Sequence, residues 1–96
     1  MRLDRDEKKA LKEAVEEVDD PVYLFGSRVV DTARGGDIDI LILSDRPPLK
    51  LSCRVAAAFN MVCEEKVDVV VIPRTENLRT AEQNAFLNTI ERERVK

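Results

Sequence analysis

Histidine is absent from this 96-residue sequence, cysteine occurs twice, glycine three times and tyrosine once. Without histidine the chain can form no His-Cys zinc site and no Ser-His-Asp or Cys-His catalytic arrangement of its own. The two cysteines, Cys53 and Cys63, fall in a stretch that reads as helix, where their spacing places them about 15 Å apart along the axis. They cannot bridge each other there, and both read as small core residues. Aromatic residues make up only 4% of the chain, so Tyr23 and the three phenylalanines are core candidates, too few and too isolated to form a base-stacking platform. No apolar run is long enough to span a bilayer. The N-terminal stretch MRLDRDEKKALKEAVEEV is charged throughout and lacks the apolar core of a signal peptide. The expected location is the cytoplasm.

What is present fits one small domain over residues 1–96, with room for a single core and little for a second substrate-binding lobe. An active site in such a domain has to be open or completed by another molecule. The apolar share of 44% is that of a globular protein, and with 36% charged residues the pattern is one of a folded, well-solvated chain. A net charge of -3 argues against direct nucleic-acid binding, because affinity for a phosphate backbone comes mainly from dense Lys and Arg. Here the basic residues are scattered among acids.

Hydrophobic spacing predicts the elements. Leu11, Ala14, Val15 and Val18 recur at helical intervals, and Asp4 followed by Glu7 suits a capping arrangement, so a helix is expected over 4–19. Pro21 stops it. The run VYLF, Val22 to Phe25, reads as a short buried strand, and Ser27 as the cap of a short helix from Arg28 to Thr32. From Asp37, DIDILIL reads as a central strand that is apolar on both faces after its first three residues. Leu51, Val55, Ala58, Phe59 and Val62 predict a helix over 49–65. KVDVVVIP is a third strand ended by Pro73. Leu78, Ala81, Ala85, Phe86 and Ile90 predict a last helix, followed by a frayed tail, ERERVK. The order α-β-α-β-α-β-α makes the fold class a small α/β sandwich.

The stretch GSRVVDTARGGDIDI, Gly26 to Ile40, holds all three glycines. Side chains alternate along a strand, so Asp37 and Asp39 point one way and Ile38 the other. The connection from Ser27 to Asp37 is short, which predicts an antiparallel pair of strands with Gly26-Ser27 and both carboxylates on one edge of the sheet. Gly26 permits close approach of backbone, Ser27 offers a hydroxyl, and free N-H groups of a following helix suit a phosphate. The carboxylates suit Mg²⁺, a hard cation held by acidic side chains, phosphate oxygens and water.

Asp68 interrupts the apolar run Val67 to Ile72, and a carboxylate in a buried strand needs a partner. Lys66, Arg74 or backbone donors could supply one. If the third strand runs parallel to the second, Asp68 instead falls near Asp37 and Asp39, and the three carboxylates repel one another unless a divalent metal lies between them. All three aspartates then read as metal ligands for an in-line phosphoryl displacement assisted by two ions, with Asp68 also the general base. Asp-x-Asp and Gly-Ser are each common as a solvated pair and an ordinary turn. Their combination with a third Asp is what carries weight.

LFGSR, then GGDIDILIL, then KVDVVVI resemble the minimal nucleotidyltransferases of the DNA polymerase β superfamily, over about Val22 to Ile72. The resemblance implies an α/β (α+β) nucleotidyltransferase fold with a small mixed sheet of about three strands and helices mainly on one side. It implies transfer of a nucleoside monophosphate from an NTP, with ATP as the expected donor, two Mg²⁺ ions as cofactors, and release of pyrophosphate. Gly26 and Ser27 would hold the triphosphate, Asp37, Asp39 and Asp68 the metals, and Arg28 and Arg34 would contact phosphate. Many such minimal domains act as antitoxins beside a small helical HEPN protein, in some cases by adding AMP to it, and others pair with a substrate-binding helical domain. The expected acceptor is therefore a hydroxyl of a partner protein or of a small molecule. The rival reading is a non-catalytic antitoxin that neutralises its partner by occlusion. Assembly as a homo-oligomer is left open.

Overall fold

The computed structural model describes residues 2–29 and 36–96. Its elements are helix α1 (Arg5–Ala14), strand β1 (Val22–Phe25), strand β2 (Ile38–Leu43), helix α2 (Pro48–Asn60), strand β3 (Val67–Ile72), helix α3 (Ala81–Thr89) and strand β4 (Arg92–Arg94), with single 3₁₀ turns at Gly26–Arg28 and Glu76–Leu78. The strands lie in the order β3-β2-β1-β4. β1 is antiparallel to both β2 and β4, whereas β2 and β3 are parallel. The result is a mixed α/β fold with a four-stranded sheet. Among the described residues no helix is long and apolar enough to cross a membrane.

Alternation along β2 builds both halves of the core. Ile38, Ile40 and Ile42 face one side with Val22 and Leu24, where α1 contributes Leu11 and Ala14 and α2 contributes Leu51, Val55 and Phe59. Leu41 and Leu43 face the other side, under Phe86, Leu87 and Ile90. Two helices therefore cover one face and α3 covers part of the other. β2 is the central strand its two-sided apolar pattern predicts.

Several boundaries differ from the sequence reading. The Asp4-Glu7 capping box forms, with Glu7 N donating to Asp4 Oδ1 at 2.8 Å and Asp4 N to Glu7 Oε1 at 2.9 Å. α1 nevertheless ends at Ala14, and Val15 and Val18 stay buried through a turn. Lys96 Nζ donates to the Val15 and Glu16 carbonyls at 2.7 Å each, giving those end-of-helix acceptors a partner from the far end of the chain. α2 begins with Pro48 in its first turn, where the missing N-H is harmless. It ends at Asn60, whose side-chain amide donates to the Cys63 and Glu65 carbonyls and turns the chain into β3. Cys53 is consequently an exposed helical residue and Cys63 a half-buried one beyond the helix, rather than two core residues of one helix.

α3 starts after a Thr80-Gln83 capping box, and it buries Leu87 while Leu78 remains 62% exposed. The ERERVK tail is ordered as β4 and raises the strand count from three to four. Arg92 pairs with Phe25 and Arg94 with Tyr23, and the Arg92 guanidinium lies 5.2 Å from the centre of the Tyr23 ring. Alternating charges conceal this strand in the sequence, because all three of its residues are exposed.

Candidate functional site

Parallel pairing sets β2 and β3 in the register Asp39↔Asp68, and antiparallel pairing sets β1 against β2 in the register Phe25↔Asp39. One end of the sheet therefore gathers the end of β1 with Gly26 and Ser27, the start of β2 with Asp37 and Asp39, and the start of β3 with Asp68. Neighbouring strands lie about 4.8 Å apart, so Asp39 and Asp68 are adjacent. Asp39 shares the face of Leu41 and Leu43, while Ile38 is fully buried on the opposite one, as the alternation requires.

The turn meets the acidic strand through its glycines. Gly26 has φ of +77°, and a Cβ there would run into the Asp39 carboxylate. Gly36 has φ of +89°, and a Cβ there would run into Ser27 Oγ. Glycine is thus needed at both positions for conformation and for space. These two contacts bring the Gly-Ser turn and the Asp-x-Asp segment together, as their short connection predicts. Ser27 lies within the 3₁₀ turn Gly26–Arg28, which has Phe25 at its start and no side-chain cap there. The rest of that expected helix and Arg34 lie outside the described residues.

Arg28 departs most from its expected role. Its side chain is buried, with Nη1 donating to Glu7 Oε1 at 2.8 Å and to the Arg2 carbonyl at 3.2 Å, and Nε donating to the Gly36 carbonyl at 3.2 Å. The guanidinium is engaged inside the fold rather than presented to a phosphate. Sequence reading missed Glu7 as its partner, since the capping box already accounted for that carboxylate.

Asp68 also differs from its reading as a buried strand carboxylate. β3 is an edge strand and Asp68 is exposed. Neither suggested cation pairs with it: Lys66 Nζ lies 3.4 Å from Asp37 Oδ2, and Arg74 Nη1 lies 3.2 Å from Asp20 Oδ1. What Asp68 does is act on its neighbour. The Asp39 carboxyl is held above the ordinary carboxylate range, first by burial, then by the charges of Asp68 and Asp37, with Lys66 partly opposing them.

The donors are of the kind a hard divalent cation takes, oxygen ligands only on one edge, and they repel one another. Among the described residues, however, no three acidic or cysteine side chains are placed to hold a metal ion together, Asp37, Asp39 and Asp68 included. Asp37 is instead paired with Lys66, whose ammonium supplies part of the positive charge this edge calls for.

Fold and edge together define a class: a small mixed α/β domain in which a Gly-Ser turn abuts a strand opening with Asp-x-Asp. The Nucleotidyltransferase domain family matches residues 7–96, nearly the whole chain, and the protein belongs to that family. No curated protein matches the chain significantly.

Proposed function

We propose that residues 1–96 form one minimal nucleotidyltransferase domain that acts in the cytoplasm. It transfers a nucleoside monophosphate, AMP from ATP, to a hydroxyl of a partner protein or small molecule. The observation that carries this reading is the Asp39↔Asp68 register together with the packing of Gly26 against the Asp39 carboxylate. Family membership supports nucleotidyl transfer in general, and the choice of ATP follows the resemblance to minimal nucleotidyltransferases.

Asp37, Asp39 and Asp68 are the residues that would hold Mg²⁺, which supplies charge neutralisation for the triphosphate and the developing oxyanions. The Gly26-Ser27 turn orients the triphosphate, with Gly26 admitting it close to backbone and Ser27 offering its hydroxyl. Asp68, exposed at the edge, accepts the proton of the acceptor hydroxyl. The acceptor oxygen forms a bond to the α-phosphorus as the bridging bond to the β-phosphate breaks, and pyrophosphate leaves. An open edge on so small a domain suits a macromolecular acceptor, and a helical HEPN-type toxin is the partner this reading favours, with the chain as its antitoxin.

Co-expression of the chain with the protein encoded beside it tests the reading. Neutralisation accompanied by a nucleotide adduct on the partner, both lost in Asp39→Asn while the complex still forms, is the expected result. Neutralisation that survives Asp39→Asn with no adduct would replace transfer by occlusion.

A further inference from the structure

Glu7 and Arg28 are the two charged side chains of the described residues in the buried class, 3% and 8% exposed. Burying an ion pair sacrifices hydration that the pairing barely recovers, and a well-packed apolar pair would serve stability as well. The location of this pair supplies a reason for it. Arg28 follows Gly26-Ser27 directly, and its Nε holds the carbonyl of Gly36, the residue before Asp37. Its Nη1 is held in turn by Glu7 Oε1, which the capping box fixes to the start of α1. The N-terminal arm adds further contacts: Arg2 N donates to the Arg28 carbonyl at 2.6 Å, Arg2 Nη2 to the Ser27 carbonyl at 3.5 Å, and the Arg2 carbonyl accepts from Arg28 Nη1 at 3.2 Å. One guanidinium therefore spans the two ends of the connection between β1 and β2, anchored by a carboxylate from a separate helix.

We infer that Glu7 is a positioning residue for the nucleotide site: through Arg28 it fixes the Gly26-Ser27 turn relative to Asp37 and Asp39. The inference deepens the nucleotidyltransferase reading and rests on it for its functional meaning. It assigns Arg28 a structural grip in place of the phosphate contact expected from its position. A planar fork is needed, because Nη1 and Nε must meet Glu7 and Gly36 together, which a lysine ammonium cannot do.

The test compares Glu7→Gln, Arg28→Lys and Val55→Ala in the full chain. Gln at position 7 retains the capping box, so α1 keeps its start and only the charge pairing is lost. Val55→Ala removes core packing on α2, away from the clasp, and serves as a comparison of lowered stability. Hydrogen exchange well below the melting temperature should be at least ten-fold faster in segments 26–29 and 36–39 of both clasp variants, with β2 from Ile40 onward near wild type. Val55→Ala should show no such concentration at the turn. Exchange at the turn that merely follows global stability in all three proteins would overturn the inference. If Glu7→Gln does not fold, Arg28→Lys carries the comparison alone. In parallel, Mg²⁺-ATP affinity should fall at least ten-fold in Glu7→Gln and stay near wild type in Val55→Ala, and equal affinities in all three would also overturn it. A wild type that binds no nucleotide would count against the functional reading, while the exchange data would still decide the clasp.

Discussion

Asp39 concentrates the electrostatics of the site. Its carboxyl is raised by burial and by Asp68 and Asp37, so at neutral pH its ionised form weighs against the folded state in the absence of metal. A folded-state carboxyl above its unfolded value binds more protons than the unfolded chain, so its penalty grows as pH rises from the ordinary carboxylate value through the raised one. Asp39→Asn in chelator at pH 7 should therefore melt about 1–3 °C higher than wild type. That is less than the 4–8 °C that about 1 kcal/mol would give, because the carboxylate is partly solvated. The gain should shrink as pH falls through the raised value, where the wild-type carboxyl also takes up its proton. A lower melting temperature for the variant at pH 7 would remove the clustered-charge argument. The meeting of the aspartates with the Gly-Ser pair was legible in the sequence because their positions follow from strand alternation and from the short connection between β1 and β2. Arg28 was not, because nothing local announces that a carboxylate from α1 closes onto it.

The elements that read clearly are those whose own residues state their pattern: β2 with its two apolar faces, and α2 with Leu51, Val55 and Phe59 four residues apart. β4 did not, since Arg92, Glu93 and Arg94 are all exposed and pairing with β1 makes it a strand. The burial of Asp68 was misjudged for a related reason. A run of valines and isoleucines announces a strand, but whether it lies at the centre or the edge is set by which strands flank it. Deleting residues 92–96 tests the weight of β4. The deletion removes the ladder to β1, the Val95 N to Val22 O bond of 2.8 Å and the Lys96 contacts to the end of α1. At about 1 kcal/mol for each net hydrogen bond, urea unfolding should show a loss of about 2–5 kcal/mol, and the uncovered β1 edge should promote association. Unchanged stability would make β4 incidental to the fold.

At the scale of the molecule, a sheet with a core on each face presents one end to solvent, and that end gathers the Gly-Ser turn with Asp37, Asp39 and Asp68. α1 and α2 hold β2 from one side while α3 covers part of the other, so the start of β2 is rigidly based yet open where Asp37 and Asp68 lie. The broad topology could be read from element order and the short β1-β2 connection. Cover on both faces followed from the apolar pattern of β2, but which residues of α3 supply it did not, because α3 buries Leu87, outside the stripe its alanines suggested. The central claim is that the Gly-Ser turn and the three aspartates form one metal-nucleotide site. Calorimetric titration of each NTP into the wild-type chain, with Mg²⁺ and with chelator, beside Asp39→Asn, tests it most directly. The account predicts saturable binding of ATP that requires Mg²⁺ and weakens at least ten-fold in Asp39→Asn. Binding that is indifferent to both Mg²⁺ and Asp39, or no binding with the partner protein also present, would contradict it.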